Sequence, residues 1–370
     1  MNIAWFTVRK WSDFCSTTTK ALAEGLVSNH HNLTIINSDP NETHDSFDWN
    51  HVTLDQSKVP GRGGASLARN AVRWMVQIEE NAFDIAIIDW PLASKLAAVA
   101  VKKGSKVILM DRSPPADVTL LGRMQWKVWR KAWDLVRNGT VQQGLVVSKA
   151  HQEFVMQKCN VDKQMIQPLP AGVDLQSFTP GEKEFDGVWK MVYHGRLDKH
   201  RGVLALPMLL SKLRHQGIKA ELSLVGEGNA FSSLQRIAAH DESITLSPPL
   251  SKKAMATHLQ EQHIGLLPMP DTPVWSLASP LKRSEYLAAG LLVYGVNHKG
   301  HKLDGTKKEW YCLSEMETFH ETAISWLTNM SETELKDGSQ AARKYAESHC
   351  SWEKTISHLE TILQSVKLDA

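Results

Sequence analysis

Short apolar runs alternate with segments of helical period along almost the whole chain. Candidate strands are Ile3–Val8, Leu33–Asn37, Ile85–Asp89, Lys106–Met110, Leu145–Ser148 and Met165–Leu169. Between them, Thr18–Asn29 and Ala65–Glu80 read as amphipathic helices, the second with Leu67, Ala71, Met75 and Ile78 on one stripe. Strands separated by helices imply βα units and a parallel sheet, wound by right-handed crossovers into a Rossmann-like layer. The pattern pauses at Phe178–Asp186, a Pro/Gly/charged stretch that reads as a linker. It then restarts with strands at Lys190–His194, Glu221–Val225, Ile264–Pro268 and Leu292–Val296. Helices are expected at Gly202–Gln216, Phe231–His240, Lys253–Gln260 and Pro280–Ala289.

The expectation is therefore an α/β chain of two doubly wound domains. Residues 1–180 form the first, taking the acceptor, and 181–350 the second, taking a nucleotide sugar; a last helix, 351–370, crosses back to the first. Ligands of such sheets bind outside the carboxyl ends of the strands, which places them in a cleft between the domains.

Composition narrows the function classes. The 370 residues are 42% hydrophobic and 22% charged, with a formal net charge of +2. Two globular domains are expected from that length, and no global field exists to recruit nucleic acid. Cys15, Cys159, Cys312 and Cys350 lie far apart without metal-ligand spacing, which reads as buried thiols in a reducing, cytoplasmic compartment. The opening apolar run precedes Arg9 and Lys10, so it reads as a strand rather than a signal peptide, and no run approaches a membrane span.

Candidate chemistry concentrates in the second half. Gly195-Arg196-Leu197, followed by Arg201-Gly202 and a helix, joins a strand end, two forked cations and a helix N-terminus, the combination that a diphosphate requires. A solvated basic loop is the equal alternative. Gly226 and Gly228 form a second strand-to-helix turn, where a plain tight turn is favoured over ligand contact. In the third segment Ser279 is expected to cap a helix, with Pro280 at its first position and Gly290 at its end. Lys282 and Glu285 then share a face. A diphosphate at the helix start and a ribose roughly 9 Å further along would suit them; an exposed ion pair is the alternative from spacing alone.

Together these segments resemble the ordered signatures of retaining glycosyltransferase family 4, of the GT-B fold. The resemblance extends to Pro170–Pro180, similar to that family's interdomain element, and to Ala342–Glu353, similar to its closing helices. It implies that Arg196 and Arg201 grip the donor diphosphate, that the Ser279–Pro280 amides face the phosphates, and that Glu285 holds ribose hydroxyls. The loop from Ser247 to Leu250 would frame the base. The co-substrate implied is a nucleotide-diphosphate sugar, UDP or GDP, and no metal, since there is no Asp-x-Asp. The acceptor is a glycan or a lipid-linked molecule. Three departures stand out: Leu277 replaces the first of two glutamates, Met110 replaces a histidine, and Cys15–Thr19 replaces a glycine pair. Ser16 or Thr17 would cap the next helix and touch phosphate, capping being the favoured role. Asp111 would orient an acceptor hydroxyl or cap a turn. An epimerase on the same scaffold, or a catalytically reduced binding subunit, is the competing expectation.

One segment lies outside this scheme. Trp126, Trp129 and Trp133 form a stripe on residues 123–137, with Lys127, Arg130, Lys131 and Arg137 beside it. Packing of the tryptophans on the first sheet is favoured over peripheral docking on an anionic membrane.

Overall fold

The computed structural model describes residues 1–12, 16–59, 61–115, 120–303, 305 and 308–368, with Leu120 and Leu121 described by backbone alone. Cys15 lies outside the described residues. The chain divides into one unit made of Met1–Ala171 with Trp352–Ala370, and a second of Gly172–Ser351.

The first unit holds β1 (Asn2–Phe6), β2 (Asn32–Asn37), β3 (Asn50–Thr53), β4 (Ile85–Asp89), β5 (Lys106–Asp111), β6 (Gln143–Val146) and β7 (Ile166–Pro168). They form one parallel sheet in the order β3-β2-β1-β4-β5-β6-β7, so the winding direction reverses between β1 and β4. Because side chains alternate along a strand, the same apolar runs feed two cores. Ala4, Phe6, Ala86 and Ile88 face one way, under the helices Gly63–Gln77, Trp90–Lys102, Leu120–Arg137 and Lys149–Cys159. Ile3, Trp5, Ile85 and Ile87 face the other, under Thr17–Ser28 and Trp352–Leu368. The last helix contributes Leu359, Ile362, Leu363 and Val366 to that second core.

The second unit repeats the plan with β8 (Trp189–His194), β9 (Ala220–Val225), β10 (Ile244–Ser247), β11 (Ile264–Leu267), β12 (Leu292–Val296) and β13 (Tyr311–Ser314). The order is β10-β9-β8-β11-β12-β13, again parallel, with the reversal between β8 and β11.

The division falls earlier than the expected hinge. Residues 172–180 belong to the second unit: Val173 donates its N–H to the Cys350 carbonyl at 2.7 Å, and Phe178 is buried in the second core. The Pro/Gly/charged stretch is a strap on that unit rather than a free linker. Lys183 within it is buried and donates to the carbonyls of Gln260 and Gln262 at 3.1 and 2.7 Å. Burial presses its ammonium down to about 8. The expected strand ending at Ser148 stops two residues sooner, since Ser148 accepts the His151 N–H and caps the following helix.

Candidate functional site

The second unit brings most of the predicted residues to one place, the carboxyl edge of its sheet at the β8/β11 reversal. Two βα loops are zipped together there. Leu197 donates to the Glu227 carbonyl at 2.7 Å and Ala230 to the Leu197 carbonyl at 2.8 Å. The glycines permit this approach. A Cβ on Gly226, whose φ is +146°, would stand 1.8 Å from the Gly195 oxygen, and one on Gly202 2.3 Å from the Pro268 oxygen. Gly226 thus holds the loops in register, which is the tight-turn role.

Asp198 organises the cations of these loops. Arg196 Nε lies 3.2 Å from its carboxylate and Arg201 Nε 3.8 Å, while the Asn229 N–H donates to it at 3.0 Å. Those partners hold Asp198 below the usual carboxylate range against the opposing effect of its burial. Arg196 also reaches Glu227 at 3.0 Å. Arg201 lies over Trp275, its guanidinium carbon 4.4 Å from the ring centroid, and its buried Nε has no hydrogen-bond partner among the described residues.

The helix Leu281–Ala288 follows β11. Ser279 does not cap it. Pro280 occupies the cap position itself, with ψ 119°, so the helix begins one residue later than expected and Ser279 stands outside it. Proline fits there because its fixed φ is compatible and the missing N–H is not needed by the helix. Lys282 and Glu285 do not form the exposed pair their spacing allows. The Lys282 side chain is buried, donates to the Tyr193 hydroxyl at 3.0 Å, and lies 4.2 Å from that ring's centroid. No carboxylate among the described residues comes within ion-pair distance of it. Burial first, then the charge of Arg201, presses the Lys282 ammonium down to about 7, with Glu285 pulling the other way. Glu285 sits 3.2 Å from His194 Nε2 at the end of β8, and the His194 N–H donates to the buried Tyr286 hydroxyl. Leu277 is buried.

Such an edge offers an anion two arginines, each with a carboxylate at its side, and a lysine with none within ion-pair distance among the described residues. No protein-family model and no curated sequence matches the chain. Solved structures do match. A glycosyltransferase from Rickettsia africae ESF-5 is 15% identical, with a TM-score of 0.77 over 99% of this chain and 98% of that one. Sucrose-phosphate synthase from Thermosynechococcus elongatus is 12% identical, at 0.76 over 100% of both chains. Anabaena HepE in complex with UDP-glucose is 10% identical, at 0.72 over 99% and 100%. The fold is GT-B.

In the first GT-B unit the expectations fare less well. Asp111 has no exposed surface: it accepts the indole N–H groups of Trp129 and Trp133 at 2.6 and 2.9 Å, and His151 Nε2 lies 3.3 Å away. It is an internal anchor, out of reach of an acceptor. Ser16 does not cap the next helix either; its hydroxyl donates to the Trp11 carbonyl at 3.2 Å, and Thr17 is exposed in the first turn. Sequence reading overlooked the groups at the β1/β4 reversal. Asp89 there accepts from the Thr7 hydroxyl and the Val8 N–H at 2.7 and 3.1 Å. Burial lifts its carboxyl above the usual range. Arg112, between the charges of Arg9 and Asp89, is pressed down to about 10, chiefly by burial. Hydroxyl and carboxylate on adjacent strands of one reversal were the available signal. Cys159 and Cys350 are buried and Cys312 is half-buried, and none of the three is in a disulfide. Trp129 and Trp133 are core residues and Trp126 packs against them, as the favoured reading of that stripe held. Among the described residues no helix is long and apolar enough to cross a membrane.

Proposed function

We propose that the chain is a glycosyltransferase that binds a nucleotide-diphosphate sugar at the β8/β11 edge and passes the sugar to an acceptor hydroxyl of a glycan or lipid-linked molecule. The observation that carries this reading is Lys282, a buried ammonium without a carboxylate partner beside Arg201, itself holding a buried unbonded N–H. Burying an ammonium without an anion is costly, so Lys282 beside the unbonded Arg201 N–H is best explained by an anion that arrives. A diphosphate between Lys282, Arg201 and Arg196, at the start of the helix Leu281–Ala288, supplies it. Glu285, steadied by His194, takes the ribose hydroxyls.

In transfer, these cations offset charge that develops on the departing diphosphate. The family signatures favour retention without a metal. A phosphate oxygen accepts the acceptor's proton as the bond from the anomeric carbon to that oxygen breaks and the bond to the acceptor oxygen forms. UDP is favoured over GDP, since similar structures hold UDP-glucose, or UDP with GlcNAc. The buried Leu277, where the resemblance places a carboxylate, favours one second reading: a protein that binds donor without transferring it.

A thermal-shift panel of UDP-, GDP-, ADP- and dTDP-sugars tests the proposal, because a specific donor raises the midpoint by linkage. K282M is expected to weaken the effective donor at least a hundredfold, and R196A or E285A to lower turnover by a similar factor while leaving the melting profile cooperative. Such factors correspond to about 3 kcal/mol per group. Unchanged donor binding in K282M and normal turnover in the other two would reject the assignment. Donor binding without nucleotide release, across a panel of acceptors, would select the second reading.

A further inference from the structure

The four helices on one face of the first sheet carry a large excess of positive charge. Gly63–Gln77 carries Arg69 and Arg73, and Trp90–Lys102 carries Lys95 and Lys102; neither has an acid. Leu120–Arg137 has five cations against Asp134, and Lys149–Cys159 has Lys149 and Lys158 against Glu153. The row therefore holds eleven cations and two acids, in a chain whose whole net charge is +2. The helices Thr17–Ser28 and Trp352–Leu368, on the opposite face of the same sheet, are balanced, with three cations against three acids. All eleven cations are exposed.

Little within the protein neutralises this face. Asp134 is taken by Arg137 at 2.7 Å. Arg123, Lys127, Arg130 and Lys131 have no ion-pair partner among the described residues, and neither do Arg69, Arg73, Lys95, Lys102 and Lys158. The tryptophan side of Leu120–Arg137 is fixed inward by Asp111, which commits the opposite, cationic side to solvent. Three well-exposed apolar side chains, Val76, Val101 and Met124, stand among the charges.

We propose that this face docks on an anionic lipid bilayer, independently of the donor site. Charge complementarity over a row of four parallel helices, each roughly 8–10 Å from the next, fits an extended plane of negative headgroups. A single-stranded nucleic acid would instead ask for exposed aromatic rings on which to stack its bases. On these helices Trp129 and Trp133 are buried, and the partly buried Trp74, Trp90, Trp126 and Phe154 pack against the same core. The contact is a surface one: apolar insertion by the tryptophans is ruled out by their packing.

The test is sedimentation of the full chain with vesicles of phosphatidylcholine alone or with 30% phosphatidylglycerol, over a salt series. Binding is expected only to the anionic vesicles and is lost by about 0.5 M salt, where screening acts over a few ångströms. K127E/R130E/K131E is expected to bind at least a hundredfold more weakly, since each cation at such a surface contributes about fivefold. K219E/K253E/K344E makes the same change in net charge on exposed positions of the second unit and is expected to bind as the parent does. R69E/R73E/K95E, on two other helices of the row, is expected to lose binding comparably, and melting curves check that each variant is folded. Absence of parental binding overturns the proposal. So does equal weakening by the second-unit control, which would mean a response to net charge alone. Tighter binding to a single-stranded oligonucleotide than to anionic vesicles under the same salt would also overturn it, in favour of nucleic acid.

Discussion

At the scale of single residues, Lys282 combines a structural cost with the use proposed for it. Its ammonium is pressed from the ordinary lysine range to about 7 by burial and by Arg201. In the free protein the proton leaves as pH rises through 7, whereas a diphosphate alongside would retain it. Donor affinity is therefore expected to be full below pH 7 and to fall above it, by up to about tenfold per pH unit, because binding then has to take up a proton. A nucleotide sugar suits the measurement, since its doubly esterified diphosphate does not titrate there. Calorimetry between pH 6 and 9, in buffers of different ionisation enthalpy, would count the protons; affinity flat with pH would remove Lys282 from the binding site. Stability of the unliganded chain runs the other way. The unfolded lysine stays protonated to about 10.4, so between pH 7 and 10 the unfolded chain binds more protons and this group's contribution to folding improves as pH rises. K282M is expected to be more stable than the parent at pH 7 and to lose that part of the slope. The sequence offered Lys282 to a diphosphate but not its burial or titration, because a lysine three residues before a glutamate is also the signature of a solvent-facing pair. Arg196 and Arg201 were easier to propose as donor contacts, since a strand, a glycine and a helix start bracket them.

At the scale of elements, legibility followed burial. The strands read correctly, such as Ile85–Asp89 and Leu292–Val296, are central and apolar on both faces. The three strands left out, Asn50–Thr53, Ile244–Ser247 and Tyr311–Ser314, all lie at sheet edges, where one neighbour and partial exposure leave a short mixed run without a clear period. Asp111 shows the converse error. A carboxylate at the end of a strand in a GT-B chain invites a catalytic role, yet its oxygen is spent on two indoles from a helix that begins nine residues later. Replacing it with alanine strands two buried N–H groups and is expected to destabilise the first unit by about 2–4 kcal/mol. Donor affinity, which the proposal assigns to the second unit, should be unchanged, and urea unfolding together with donor titration measures both. An intact melting midpoint in D111A would mean that the indoles find other acceptors.

At the scale of the molecule, the chain is not two beads in series. Leu359, Ile362, Leu363 and Val366 close a core whose other members come from the first 170 residues. A chain ending at Ser351 is expected to lose the cooperative unfolding of its first unit, exposing Leu22, Leu26 and the β1 side chains, while the second unit keeps its own transition. Hydrogen exchange resolved by segment would separate the two, and uniform protection of the first unit in the truncated chain would contradict the shared core. Supplying residues 352–370 as a separate peptide is expected to restore protection in part.

That shared core also sets an order of events during synthesis. The strands of the first sheet leave the ribosome roughly 200 residues ahead of the helix that covers one of its faces, an interval of about 10–40 s at ordinary elongation rates. Through that interval an apolar face lined by Ile3, Trp5, Ile85 and Ile87 has only the helix Thr17–Ser28 for cover while the entire second unit is being made. Yield in the cell should therefore respond to translation speed and to chaperone supply more strongly than the stability of the finished protein would suggest.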